Sequence, residues 1–124
     1  MVQDSIKEAT SPFNSPDPDR CRVSVVIPSY NHARYLRDAI RSVIAQTYRD
    51  FEIIIVDDGS SDDTPQVVAG FGNAVRYIRQ ENRGLAGARN TGVRAARGAF
   101  IGLLDADDIW MPEYLASMLL PFKS

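Results

Sequence analysis

The sequence has few of the residues that build disulfide frameworks or soft-metal centres. It contains one cysteine, Cys21, and one histidine, His32, among 124 residues. A single cysteine excludes an intrachain disulfide framework and a cysteine-based metal site. A structural role for Cys21, as a small residue at the start of the first strand, explains it better.

Long apolar runs and a strong charge imbalance are also absent. No stretch approaches the roughly 18 apolar residues of a membrane-spanning helix, and no signal-peptide pattern is visible. The net charge of −2 gives no electrostatic footprint for nucleic acid. Hydrophobic residues make up 44% of the chain, which is enough for the core of one domain. We expect a soluble, cytoplasmic domain, or one at the inner face of a membrane.

The prolines divide the chain into two unequal parts. Three of the seven lie at positions 12, 16 and 18, among serine, aspartate and asparagine residues. This composition predicts a flexible leader over residues 1–21 and a folded domain over residues 22–124.

Beyond Arg22, apolar patterns predict strands that alternate with helices. The predicted strands are 23–27, 51–56, 75–78 and 99–104, with Pro28 ending the first. The predicted helices are 33–47, 61–69, 84–97 and 111–120. The alternation implies right-handed crossovers, hence a Rossmann-like α/β fold with a mostly parallel sheet and helices on both faces. Four strands make a small sheet, so we expect the chain to be the front of a larger catalytic domain.

Two of the predicted strands end abruptly in carboxylates. Asp57 and Asp58 follow the second strand, and Asp105, Asp107 and Asp108 follow the fourth. Ligands of open α/β sheets bind beyond the carboxyl ends of the strands. Like charges on one rim repel each other, so the pattern predicts a metal ion, a basic ligand group, or both between them.

Five segments in this order resemble the amino-terminal half of a family 2 inverting glycosyltransferase with the GT-A fold. They are Val25–Asn31, Ser42–Tyr48, Phe51–Asp62, Asn82–Gly92 and Leu103–Asp108. Each segment alone is a weak signal, but five in the right order and spacing are specific. The resemblance covers the chain from about residue 22 onward.

Asp105-Ala106-Asp107 matches the D-x-D signature of that family. Two carboxylates one residue apart can direct hard oxygen ligands toward a divalent cation. The resemblance implies that Asp107 binds Mn²⁺ or Mg²⁺, which would bridge the donor diphosphate, and that Asp105 faces the sugar and ribose. A solvated acidic turn that caps the next helix is the alternative.

The resemblance also implies a nucleoside site on the first two predicted strands. Asp58 would accept the N3–H of uracil and Asp57 would support the loop, while Pro28 and Tyr30 would contact the nucleoside. Arg83 would contact the diphosphate or a base carbonyl. The structural alternatives are an Asx-type turn for the two aspartates, a packing role for Tyr30 and an exposed salt bridge for Arg83.

Two further residues are ambiguous. His32 could contact a phosphate, but a surface position at the start of a helix explains it better. Trp110 could form the floor of a sugar or acceptor site, or could belong to the core.

The activity implied by the resemblance is transfer of a sugar from a nucleotide-diphospho-sugar, a UDP-sugar, with inversion. The acceptor would be a saccharide or a lipid-linked saccharide of cell-surface polysaccharide synthesis. Inversion needs a general base, which the family carries downstream of D-x-D. After Asp108 the only carboxylate is Glu113, which is better explained by the helix dipole. We therefore expect the base beyond Ser124, and little or no transfer by this chain alone.

Two other functions compete with this interpretation. A receiver-type signalling domain also has an acidic Mg²⁺ pocket, but it needs a lysine near the end of a later strand. The only lysines, Lys7 and Lys123, are expected outside the sheet. A non-catalytic or truncated module that keeps the nucleotide pocket without turnover is the other alternative, and the missing base supports it for the isolated chain.

Overall fold

The structure of the chain is a computed structural model that describes residues 6–8 and 21–122. The remainder of the predicted leader, residues 1–5 and 9–20, lies outside the described residues, as do residues 123–124.

One sheet of five strands forms the centre of the fold. The strands are β1 (Ile6–Glu8), β2 (Val23–Ser29), β3 (Phe51–Asp57), β4 (Arg76–Arg79) and β5 (Phe100–Leu103). Their order across the sheet is β1-β5-β2-β3-β4. All neighbours pair in parallel except β1, which runs antiparallel to β5. The predicted mostly parallel sheet is confirmed.

Strand β1 lies within the segment predicted to be a flexible leader. Its backbone pairs with the edge of β5, with Ile6 opposite Gly102 and Glu8 opposite Phe100. The leader prediction is therefore corrected at these three residues, because the open edge of a sheet accepts a further strand. Lys7 belongs to this strand, so the expectation that both lysines lie outside the sheet is wrong for Lys7.

Helices cover both faces of the sheet, as predicted. They are α1 (Ala33–Ile44), α2 (Thr64–Ala69), α3 (Gly84–Ala95) and α4 (Tyr114–Leu119), with short 3-10 turns at Gly72–Ala74 and Leu120–Phe122. Helices α1, α2 and α4 pack on one face in the larger core cluster. Helix α3 packs on the other face, where Ala88 meets Val26 and Ile54. Within residues 6–8 and 21–122, no helix has the length and apolar character needed to cross a membrane.

Pro28 lies inside β2 and does not end it. The strand continues to Ser29, with Pro28 opposite Val56 of β3. On the other side of β2, Val26 is the last residue paired with β5, and its carbonyl accepts the Leu104 N–H at 3.0 Å. Pro28 faces that side two residues later, beyond the end of β5, so its missing N–H removes no bond from the ladder.

A buried glutamine, Gln46, connects the end of α1 to the beginning of α4. Gln46 is 1% exposed. Its Nε2 donates to the Met111 carbonyl at 2.6 Å, and its Oε1 accepts the Leu115 N–H at 2.9 Å. These bonds satisfy backbone groups that would otherwise be buried without partners. Both helices are consequently shorter than predicted, with α1 ending at Ile44 and α4 beginning at Tyr114.

Glu52 holds together the amino-terminal edge of the sheet. Its carboxylate accepts bonds from Ser24 Oγ at 2.5 Å, Arg76 Nη1 at 2.7 Å and the Arg97 N–H at 2.7 Å. Burial raises the pKa of Glu52, but these three donors and the Arg76 charge lower it more, so the net shift is downward. The ionised carboxylate therefore stabilises the folded chain.

Glu52→Gln should destabilise the chain at pH 7 by about 1–3 kcal/mol, because charged hydrogen bonds are lost. A lowered folded-state pKa contributes stability that is present above the ordinary value of 4.5 and disappears as pH falls through the folded value. The difference in urea-unfolding free energy between wild type and variant should therefore shrink below pH 4.5. Glu81→Gln, at an exposed position, is the control and should change the unfolding free energy by less than about 0.5 kcal/mol. A Glu52→Gln deficit that stays constant through acid pH would contradict this assignment.

Gly92 lets α3 approach β2 closely. A Cβ built at Gly92 would lie 2.2 Å from Val26 Cγ1. Gly92→Ala should therefore destabilise the chain by about 1–3 kcal/mol, although alanine within a helix normally gains about 1 kcal/mol over glycine. In a Val26→Ala background the same substitution should cost much less, since the clashing methyl groups are gone. Equal costs in the two backgrounds, measured by urea unfolding, would refute the close approach.

Candidate functional site

A cavity opens at the point where the strand order reverses. From β2 the chain proceeds to β3 and β4 on one side, whereas β5 lies on the other side of β2. Crevices at such switch points, outside the carboxyl ends of the strands, are the usual ligand sites of open α/β sheets. The cavity has a volume of about 350 Å³, and its lining residues are Pro28, Ser29, Tyr30, His32, Asp58, Asn82, Gly84, Leu85, Asp105, Ala106 and Asp107.

Most of the residues predicted from sequence to form the site meet in this cavity. Those that line it are Pro28, Tyr30, Asp58, Asp105 and Asp107. Asp57 and Arg83 are not among its lining residues.

Asp58 joins the end of β3 to the beginning of α3. Its carboxylate is 3% exposed. Oδ1 accepts the Gln80 side-chain amide at 2.8 Å and the Arg83 N–H at 2.8 Å, and Oδ2 accepts the Gly84 N–H at 2.9 Å. The carboxylate therefore satisfies unpaired amides at the amino end of a helix, where negative charge is favoured. Its Oδ2 retains acceptor capacity toward the cavity.

Asp57 turns away from the cavity and into the protein. It is fully buried, and its Oδ1 accepts the Ser60 N–H at 2.9 Å. Its Oδ2 accepts the Tyr77 hydroxyl at 2.6 Å and Arg79 Nη1 at 2.7 Å. The carboxylate thus bonds to the loop that follows β3, and its bond from the Ser60 N–H is the Asx-type contact that was the structural alternative.

Arg83 reaches the site through its backbone. It is the residue before α3, and its N–H is one of the donors to Asp58. Its exposed side chain lies outside the cavity lining. A contact between the guanidinium and a diphosphate remains a prediction.

The loop between β2 and α1 is held by the neighbouring loop between β3 and α2. Asn31, in the left-handed conformation at φ 54°, donates its N–H to Ser60 Oγ at 2.9 Å and accepts the Ser61 N–H at 2.8 Å through its Oδ1. Asp62 accepts the Ala33 N–H at the start of α1 at 3.0 Å. These contacts place Tyr30, 47% exposed, at the cavity mouth.

The pKa of Asp62 reflects this capping role. Burial raises it, but hydrogen bonds from Thr64 and from the Ala33 N–H outweigh burial and lower it overall. Asp62 therefore stays ionised at neutral pH and carries a negative charge at the beginning of α1.

Two polar atoms of the lining lack partners in the described part of the chain. Ser29 Oγ and His32 Nδ1 are both buried and form no hydrogen bond there. Buried polar atoms normally have partners, so these two atoms beside the cavity are exceptions. Because both are covered, a ligand in the cavity could reach them only after a local rearrangement. Sequence reasoning did not select Ser29, because serine after a strand is common, and it favoured a surface position for His32.

The two aspartates of the D-x-D match have different surroundings. Asp105 pairs with Arg89 of α3, with Nη2 and Oδ1 3.1 Å apart. Asp107 is exposed and lines the cavity, and its carboxylate has no hydrogen bond or ion pair within residues 21–122. Between them Ala106, 1% exposed, packs into the core and fixes the turn. Arg89 compensates Asp105, which leaves Asp107 free for a cation.

The carboxylates fit a hard divalent cation that completes its shell with ligand oxygens. Among the described residues, no three His, Cys, Asp or Glu side chains come together as a metal cage. Mg²⁺ is commonly held by one or two carboxylates plus substrate phosphates and water, and Mn²⁺ accepts the same oxygen ligands. Asp107, with Asp105 nearby in sequence, provides that kind of partial site.

Trp110 belongs to the core and not to the cavity. It is 6% exposed, and its ring stacks on Tyr114 with centroids 4.5 Å apart. Its backbone N–H donates to Ser42 Oγ at 3.2 Å, which ties the segment after the acidic turn to α1. Of its two proposed roles, the structure shows the packing role.

Comparison with known proteins identifies related sequences across this region. The profile of the family described as "Glycosyl transferase family 2" matches residues 24–124. An uncharacterized glycosyltransferase of Nostoc sp. is 44% identical over 107 residues, which cover 83% of this chain and 33% of the relative. The chain thus spans about a third of that relative's length.

Solved structures show the same fold. The S. aureus TarS 1-349 structure in complex with UDP-GlcNAc has a TM-score of 0.70 and 29% identity, covering 77% of this chain and 29% of that one. The mannosyltransferase PcManGT from Pyrobaculum calidifontis, in complex with GDP-Man and Mn²⁺, has a TM-score of 0.69 and 31% identity. That match covers 90% of this chain and 36% of the mannosyltransferase chain. These GT-A neighbours confirm the predicted fold class.

Asp58→Asn should destabilise the chain even without a ligand, because an amide would place donors against the N–H groups that begin α3. We expect a loss of about 1–3 kcal/mol in urea-unfolding free energy. Asp108→Asn, at an exposed carboxylate outside the cavity lining, should change it by less than about 0.5 kcal/mol. Equal effects of the two substitutions would show that Asp58 does not cap α3.

Proposed function

This chain belongs to the family 2 glycosyltransferases, and from that premise we propose that its cavity binds a UDP-sugar. In the whole protein the sugar passes to a saccharide or lipid-linked acceptor with inversion at the anomeric carbon. The observation that carries the proposal is the meeting of a buried carboxylate, Asp58, and an unpaired carboxylate, Asp107, in one cavity at the switch point.

The nucleoside lies between Tyr30 and Asp58 in this proposal. The exposed ring of Tyr30 offers a flat apolar face for the base, and Pro28 extends the surface beneath it. An ionised carboxylate can only accept hydrogen bonds, so Asp58 selects a base that presents an N–H, as uracil does at N3.

The diphosphate and sugar lie toward the acidic turn. Asp107 would hold Mn²⁺ or Mg²⁺, and a bound cation would neutralise the charge that develops on the departing nucleoside diphosphate. Asp105 faces the sugar and ribose, and its ion pair with Arg89 fixes its direction. The neighbours bound to UDP-GlcNAc and to GDP-Man with Mn²⁺ support a nucleotide-sugar and a divalent cation here.

Transfer requires a carboxylate base that removes the proton from the acceptor hydroxyl while its oxygen attacks the anomeric carbon. The bond to the diphosphate oxygen breaks on the opposite face, which inverts the configuration. Glu113 precedes α4 and is not part of the cavity lining. We therefore propose that the base lies beyond Ser124. We also propose a cytoplasmic location and a role in cell-surface polysaccharide synthesis.

Calorimetric titration with UDP tests the proposed donor site. Mn²⁺ should strengthen UDP binding by at least about tenfold, or about 1.4 kcal/mol, because the cation adds bonds to the diphosphate. Asp107→Ala should abolish this gain.

The matched control is Asp108→Ala, which removes the adjacent exposed carboxylate outside the cavity lining and should retain the gain. If the folded wild type bound no UDP, the donor-site proposal would fail. UDP binding that did not depend on Mn²⁺ would contradict the proposed role of the cation but not the nucleotide site.

A further inference from the structure

We propose that Tyr77 and Arg79, on the edge strand β4, are positioning residues for the nucleotide cavity. They hold the buried carboxylate of Asp57, and through it the loop between β3 and α2 that presents Asp58. The inference rests on the proposed function, since it assumes that the cavity binds a nucleotide. Neither residue lines the cavity, so both act through others.

The Asp57 carboxylate is the first link. It is 0% exposed, and its Oδ2 receives both the Tyr77 hydroxyl and Arg79 Nη1, at 2.6 Å and 2.7 Å. A buried carboxylate is costly unless it is paired with a cation and fully hydrogen-bonded. Without its two β4 donors, the Asp57 carboxylate would lose most of its compensation, and the turn that it holds would be free to move.

Arg79 also holds the far end of the same turn. Its Nη2 donates to the Ser60 carbonyl at 2.7 Å while Nη1 bonds to Asp57. One planar guanidinium thus spans the turn from Asp57 to Ser60, which passes through Gly59 at φ 84°. A lysine could neutralise Asp57 but could not make this two-pronged contact.

Tyr77 contributes a donor that stays protonated. Burial raises the pKa of its hydroxyl, and the adjacent Asp57 carboxylate raises it further. The phenol therefore remains a donor at neutral pH, and its bond to Asp57 limits the directions that carboxylate can take.

The next link carries the effect to the other side of the crevice. Ser60 Oγ accepts the Asn31 N–H at 2.9 Å, and Asn31 Oδ1 accepts the Ser61 N–H at 2.8 Å. Tyr30 precedes Asn31, so a shift of Ser60 displaces the loop that presents the nucleobase platform. Asp58, next to Asp57 in the chain, shifts with the same turn.

Strand β4 offers a matched control. Arg76 also pairs with a β3 carboxylate at 2.7 Å, but its partner is Glu52, at the opposite end of β3 from the cavity. The side chain of Arg76 is 34% exposed and that of Arg79 is 47% exposed. Each guanidinium also donates to one backbone carbonyl, that of Ala95 for Arg76 and that of Ser60 for Arg79. Removal of either therefore breaks an ion pair and a backbone contact, but only Arg79 makes them beside the cavity.

The test compares Arg79→Gln with Arg76→Gln in UDP affinity, by calorimetry with Mn²⁺, and in amide hydrogen exchange. We expect Arg79→Gln to weaken UDP binding by about tenfold, by analogy with the affinity lost when a residue that orients a metal ligand is removed. Exchange at the Ser60 and Asn31 amides should accelerate. Arg76→Gln should leave both unchanged while it lowers the unfolding temperature. Arg79→Lys should restore little, and Tyr77→Phe should reproduce part of the loss with a smaller change in the fold.

Each outcome decides one claim. Equal UDP affinity and equal exchange for Arg79→Gln and wild type would overturn the positioning role. Equal losses for Arg76→Gln and Arg79→Gln would also overturn it, because the effect would then follow general stability. If wild type bound no UDP, the proposed function would fail, and exchange at Ser60 and Asn31 would still decide the positioning claim. If Arg79→Gln did not fold, the same comparisons would be made with Tyr77→Phe.

Discussion

Two adjacent carboxylates buried at the end of β3 are the constraint on which the site depends. Asp57 and Asp58 are 0% and 3% exposed, and burial of an uncompensated carboxylate would be prohibitive. Asp57 is compensated from β4 by Tyr77 and Arg79, whereas Asp58 is compensated by amides at the amino end of α3. The end of β3 is therefore bonded both to β4 and to the amino end of α3, and the cavity lies beside this junction.

Two helices beside the cavity, α1 and α3, are capped by carboxylates from another part of the chain. The residues that begin α1 and α3 make no side-chain cap of their own. The caps come instead from Asp62 and Asp58, which belong to the segment after β3. Each helix is therefore held to that segment, because the unpaired N–H groups at its amino end need an acceptor and favour a negative charge. Stability and ligand binding share residues here, since Asp58 satisfies α3 and also faces the cavity.

Much of this architecture could be predicted from sequence because apolar runs and their alternation with helical patterns are local signals. The five motifs further predicted Pro28, Tyr30, Asp58, Asp105 and Asp107, all of which line the cavity. The predictions that were wrong concern features set by contacts between distant parts of the chain. The position of Pro28 within β2 depends on where β5 ends, and the length of α1 depends on Gln46 bonding to a segment more than sixty residues away.

The same reasoning explains why β1 and the supporting role of β4 were not predicted. Three residues of β1 pair with an edge that no local pattern reveals. Arg79 resembles any exposed arginine in the sequence, and only its contact with the fully buried Asp57 distinguishes it. Local patterns predict elements, whereas compensation of buried charge depends on which elements become neighbours.

The most direct test of a nucleotide site at the β2–β5 crevice is to map amide chemical shifts while the chain is titrated with UDP and Mg²⁺. Shifts should concentrate at residues 28–32, 58–60, 82–85 and 105–107, which surround the cavity. The amides near Glu52 and Arg97, at the opposite edge of the sheet, should stay unchanged. Shifts centred on that opposite edge, or no shifts at saturating UDP, would contradict the assignment of this cavity as the donor site.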